Sequence, residues 1–93
     1  MSDKIDYHPP LTASAKVREK NGVYHGYTVT VATATGAINI RDSTSATGNI
    51  VDVIPAGTAA GTTKSLSWGA AMSNGIFVEF AGGATGTVVI LCV

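Results

Sequence analysis

Punctuation constrains this chain more than any other feature. From Thr12 onward, runs rich in Thr, Val and Ile are broken every eight to twelve residues by Gly, Asn or Pro. No stretch of eleven residues keeps a helical period. Branching at Cβ restricts χ1 and suits a side chain to a pleated surface. Short strands at this spacing predict an all-β fold, a small antiparallel β-sandwich of about seven strands, jelly-roll or immunoglobulin-like, with a closed barrel as the other arrangement.

Seven strands can be placed. Residues 13–20 (ASAKVREK) read as an edge strand, because Lys16 and Arg18 discourage further pairing. Asn21-Gly22 is the strongest two-residue hairpin signal and predicts a turn into the strand 23–33. There Tyr27, Val29 and Val31 fall on one face and Thr28 and Thr30 on the other. Residues 37–42 follow, with Ile38 and Ile40 inward, and then 49–55, 63–68, 75–81 and 85–93. Two of these, NIVDVIP (49–55) and TGTVVILCV (85–93), carry aliphatic residues on both faces. Such a strand either lies centrally under long loops or turns its second face to another protein.

Charge divides the chain unevenly. Seven of its twelve charged residues lie in the first twenty positions: Asp3, Lys4, Asp6, Lys16, Arg18, Glu19 and Lys20. Residues 1–12, containing Pro9-Pro10, read as an extended N-terminal arm, and residues 13–93 as the β-sandwich domain. The arm is expected either to move freely or to reach an adjacent subunit. The opening MSDKIDYHPP has no apolar segment of the secretory kind, so synthesis in the cytoplasm is expected.

Size then matters. A domain of 93 residues buries only about 60–65% of the surface its unfolded chain exposes, so reinforcement is expected. Cys92 is the single cysteine, which excludes an internal disulfide. His8, His25 and Cys92 match no metal-ligand spacing, so no metal or other cofactor is expected. Oligomerisation remains, and the charged fraction of 13% agrees with it, since so uncharged a surface is adhesive unless covered. Zero net charge leaves no basic footprint for nucleic acid and no polybasic membrane signal.

The polar run Arg41-Asp42-Ser43-Thr44-Ser45-Ala46-Thr47-Gly48 holds an acid, a base and hydroxyls. A nucleophilic serine needs a neighbouring base and a third group to orient it. The only imidazoles are His8, in the arm, and His25, inside a strand, and no G-x-S-x-G elbow is present. The run therefore reads as a hairpin loop whose side chains bond nearby amides, with Gly48 supplying any positive φ. Residues 57–65 (GTAAGTTKS) miss the phosphate-loop spacing, because two threonines separate Gly61 from Lys64. His25 reads as a strand histidine bonded to a carbonyl or a Tyr hydroxyl. Trp68, Tyr24 and Tyr27 could form a sugar-stacking platform, although core or interface packing is the simpler use of so few aromatics. No catalytic residue is assigned, and the chain is read as no enzyme.

Several motifs together carry a family resemblance: Gly22-Val23-Tyr24-His25-Gly26 opening a strand, the run Ile40 to Gly48, Ile54-Pro55-Ala56-Gly57, Ser73-Asn74-Gly75-Ile76 leading into a strand, and Thr85-Gly86-Thr87-Val88 running into the C-terminus. In this order, over residues 13 to 93, the chain resembles small all-β structural proteins encoded near the capsid genes of tailed bacteriophages. The resemblance implies a virion component: a decoration or cement protein bound outside a head, or a part of the neck or tail. It implies a homotrimer as the working form, the major capsid protein as partner and the capsid surface as location. The charged arm and the SAKVREK strand depart from plainer versions of such proteins. The residues expected to make contacts are Tyr7, Pro9, Pro10, Lys16, Arg18, Trp68, Phe77 and Val88. The alternative is a carbohydrate- or receptor-binding module of a spike, neck or tail that uses Trp68.

Overall fold

The computed structural model describes residues 6–93, with side chains from residue 8 onward. It is an all-β domain of two four-stranded antiparallel sheets. The strands are β1 (Asp6–Tyr7), β2 (Ala15–Arg18), β3 (Gly22–Ala34), β4 (Ile38–Asp42), β5 (Asn49–Ile54), β6 (Thr63–Met72), β7 (Ile76–Phe80) and β8 (Thr85–Cys92). The first sheet has the order β1-β8-β3-β6 and the second β2-β7-β4-β5. The seven expected strands are present, and β1 is an eighth.

The core between the sheets comes from the inward positions of each alternating run. Tyr24 and Val29 of β3, Ile38 and Ile40 of β4, Ile76 and Val78 of β7, and Val88 and Ile90 of β8 are all fully buried. Adjacent strands present these side chains in matched rows. Ile38 pairs with both Ile54 and Phe80, and Ile40 with Val78. Such cross-strand pairs are the unit of sheet stability, and each fully buried aliphatic contributes about 1.5–3 kcal/mol.

The polar run becomes the expected hairpin loop. β4 and β5 pair up to Asp42 and Asn49, leaving residues 43–48 as the connection. Ser43 Oγ accepts the Ser45 amide at 3.1 Å, and Arg41 Nη1 donates to the Gly48 carbonyl. Asp42 Oδ1 accepts the Asn74 amide at 2.9 Å, which ties this loop to the β6–β7 turn. Gly48 is not in the positive-φ region expected of it. Its hydrogen is required because a Cβ there would lie 2.2 Å from Ser43 Cβ.

Four expectations are corrected. Asn21-Gly22 makes no hairpin, because β2 pairs with β7 while β3 pairs with β6 and β8 in the other sheet. The segment after β2 crosses between the layers: a strong turn signal cannot hold two strands together when each has a better apolar partner elsewhere. Val31 does not join Tyr27 and Val29 on the core face. A register shift between Val29 and Val31 turns it outward, 55% exposed. Thr33 comes inward instead, its Oγ1 donating to the Pro55 carbonyl at 2.8 Å and accepting the Thr58 amide at 2.9 Å.

The third correction concerns the arm. Residues 6–12 lie along this chain's own β8. Asp6 and Tyr7 pair with Cys92 and Leu91, His8 N–H donates to the Ile90 carbonyl, and Leu11 and Val88 exchange backbone hydrogen bonds. Leu11 belongs to the core cluster. Any free arm falls in residues 1–5, outside the described residues. The fourth is Val88, expected to make contacts outside the chain. It is fully buried, because with Ile90 it faces the core between the two sheets.

Candidate interaction surface

β5 and β6 are the end strands of their sheets and lie on the same side of the domain. Asp52 of β5 joins them. Its Oδ1 accepts Lys64 Nζ of β6 at 2.8 Å, and its Oδ2 accepts the hydroxyl of Tyr24 at 2.8 Å. The side chain of Asp52 is 8% exposed, whereas that of Lys64 is 44% exposed. Burial, followed by the hydrogen bond to Asp52, pushes the Tyr24 phenol far above its ordinary pKa. The same carboxylate, chiefly through its hydrogen bond, raises the Lys64 ammonium. One acid therefore joins both sheets at this edge and neutralises the edge cation.

Ile54 of β5 is buried in the core, but its three other aliphatic side chains are exposed. Ile50, Val51 and Val53 are 48%, 43% and 42% exposed. The register of β5 against β4 shifts by one residue at Val51, between the pairs Ile40–Asp52 and Arg41–Ile50. That β-bulge brings consecutive aliphatics toward the outer surface rather than alternating them.

β6 is interrupted more strongly. Its pairs with β3 run Tyr27–Lys64 and Gly26–Ser65, then resume at Tyr24–Ala70. Between them β3 contributes one residue, His25, and β6 contributes four, Leu66 to Gly69. The bulge is built rather than frayed. His25 Nδ1–H donates to the Leu66 carbonyl at 3.0 Å, as expected of a strand histidine. Gly69 holds φ at +74°, and a Cβ there would lie 2.4 Å from Val23 Cγ1 and 2.9 Å from His25 Cε1. Only glycine allows the loop to lie this close over β3. Trp68 stands on this bulge, 96% exposed. Burying an indole is worth several kcal/mol to a lone domain, so a bulge that holds one in water points to a contact outside the chain.

The other expected contact residues are scattered. Pro9 and Pro10 are exposed near β1, and the side chain of Tyr7 lies outside the described residues. Lys16 and Arg18 are on β2, at the opposite edge of the second sheet, with Lys16 Nζ 3.6 Å from Glu19. Phe77 is half-buried on the outer face of that sheet, in register between Lys16 and Arg41. Beside it Glu79 Oε1 accepts Asn39 Nδ2 at 3.0 Å and Arg41 Nε at 2.9 Å, and these bonds, Asn39 first, hold its carboxyl below the usual range. Tyr24 and Tyr27 are core residues, so no sugar platform forms with Trp68. The structure adds Ile50, Val51 and Val53. Their signal was the two-faced aliphatic pattern of NIVDVIP.

Among the described residues no three His, Cys, Asp or Glu side chains gather in a way that could hold a metal ion. No helix among them is long and apolar enough to cross a membrane. Comparison of the chain with protein-family models, with curated proteins and with solved structures finds no match.

Proposed function

We propose that this chain is a non-enzymatic structural protein of a tailed-phage virion, a decoration protein that binds the outer surface of the head and stabilises it as a homo-oligomer. The observation that carries the reading is the concentration of exposed large apolar side chains along one side of a domain whose core is otherwise complete. Such a surface is suited to assembly. Repeated weak contacts on a symmetric lattice sum to firm retention without any catalytic group.

Strand order is compatible with the virion reading and with its alternative. The pairs β4–β5, β3–β6, β2–β7 and β1–β8 nest inside one another, as if one long antiparallel ribbon had been rolled into two sheets. We read this as a jelly roll, an architecture used by viral capsid domains and also by lectins. Fold alone does not choose between those uses. The resemblance of its motif order to that of phage structural proteins favours the first, and assembly as a homo-oligomer goes with it. Pro9, Pro10, Lys16, Arg18 and Phe77 lie away from the β5–β6 edge and are available to grip the shell.

The test is co-sedimentation with heads assembled from the major capsid protein of the same virion. Saturable binding at a fixed ratio to capsomers, with a raised melting temperature of the heads, is expected. Heads that bring down no protein would sink the reading. The exposure of Trp68 favours a second one, a carbohydrate- or receptor-binding module. A specific glycan-array signal that disappears in Trp68→Ala, from a protein that ignores heads, would establish that alternative instead.

A further inference from the structure

Among the described residues, four of the five exposed large hydrophobics, Ile50, Val51, Val53 and Trp68, lie on β5 and β6. We infer that this edge is where copies of the chain meet one another, the same residues facing each other about a symmetry axis. The inference rests on the assembly part of the reading above and specifies the surface and its occupant.

Charge decides the occupant. The charged side chains of β5 and β6 are Asp52 and Lys64, and they bond each other at 2.8 Å. Bringing two such edges together therefore opposes no uncompensated like charges. The opposite edge, β2, carries Lys16 and Arg18 and a register shift between them, the usual devices that keep an edge from pairing. Docking the apolar edge of one copy against that basic edge of the next would strip water from cations and offer them aliphatic side chains in return. Like edges meeting avoids this cost. An interface in which the same patch faces itself is isologous and closes about a two-fold axis.

The contact is made by side chains rather than by strand addition. The Val53 amide, an obvious donor for an incoming strand, is already taken by Asp52 Oδ1 at 2.9 Å. An uncharged cleft of about 610 Å³ lies at the end of β6, lined by Asn21, Gly22, Val23, Ala71, Met72 and Ser73. Burying Trp68 alone would supply about 150–250 Å², roughly a fifth to a third of the ~800 Å² per partner of a standard interface.

Trp68 is the chain's single tryptophan, so its fluorescence reports this contact without a label. Sedimentation velocity and emission spectra are measured together from about 1 to 200 µM. Association with rising concentration is expected, with Trp68 emission moving to shorter wavelength in step. Trp68→Ser and Val53→Asp should each raise the dissociation constant at least ~30-fold. Lys16→Glu, on the other edge, should leave it unchanged. Far-UV circular dichroism checks that each variant is folded. A monomer with water-like emission at every concentration would overturn the inference, as would association that survives both edge substitutions. A monomer that still coats heads overturns this inference alone, and an edge-dependent oligomer that ignores heads overturns only the virion reading.

Discussion

Replacing Tyr24 by Phe removes one hydroxyl from a site that water does not reach. Tyr24 has no exposed surface, and its hydroxyl donates to Asp52 Oδ2 at 2.8 Å. A hydrogen bond to a charged acceptor is worth about 1.5–3 kcal/mol, and Asp52 keeps Lys64 and the Val53 amide after the change. Tyr24→Phe is therefore expected to cost about 2 kcal/mol, which lowers the melting temperature of a domain this size by roughly 8–16 °C. Asp52→Ala should cost more, about 2–4 kcal/mol, because it leaves the buried hydroxyl without a partner and frees Lys64. The double variant should be no worse than Asp52→Ala alone, since Phe needs no acceptor. Urea melts of the four proteins give the coupling energy, expected at about 2 kcal/mol or more. The pH dependence supplies an independent check. The folded phenol sits far above its ordinary value of 10.0, so its contribution is complete below pH 10 and is lost as pH rises and the unfolded chain ionises first. Tyr24→Phe should flatten part of that alkaline loss. Additive single substitutions, with coupling below about 0.5 kcal/mol, would refute the idea that Asp52 joins the sheets through this hydroxyl.

Gly69→Ala should cost roughly 1–3 kcal/mol, from positive φ and contact with Val23, and should alter the Trp68 emission spectrum; an unchanged melt and spectrum would count against a built bulge. Glu79 is held below its ordinary value by Asn39 and then Arg41, so its stabilisation is present above about pH 4.5 and is lost as pH falls through the folded value. Glu79→Gln should shrink that acid loss in melts taken between about pH 5 and 2, and an identical acid profile would deny the bonds any role. Leu11→Ala removes a side chain from the core cluster and should cost about 2–5 kcal/mol in urea melts. An unchanged melt would contradict the docking of this segment on β8.

Much of the local structure was legible because it depends on neighbours in sequence. Period-two alternation placed Ile38 and Ile40 inward, and both are fully buried. Asx and hydroxyl turn chemistry identified residues 43–48 as a loop, and the Ser43 and Asp42 bonds to backbone amides are of that kind. His25 bonded to a backbone carbonyl followed from its place inside a strand. Of the interaction surface, the aliphatics on both faces of NIVDVIP were visible, but not whether another strand would cover them.

Alternation, turn residues and β-branching determined by themselves that the chain forms short antiparallel strands, and where most of them begin and end. Each of those preferences is decided within a few residues. Pairing is not. The Asn21-Gly22 signal yields no hairpin because β2 and β3 gain more from β7 and β8, far away in sequence. Burial is not local either. TGTVVILCV and NIVDVIP have the same two-faced pattern, yet β8 lies inside its sheet with Val88, Ile90, Leu91 and Cys92 buried, while β5 lies at an edge with Ile50, Val51 and Val53 exposed. Only the tertiary structure could separate them, because a strand's exposure is set by what lies beside it. The same holds for Trp68. Its exposure comes from four residues of β6 facing one of β3 and from a glycine that lets them lie over Val23 and His25.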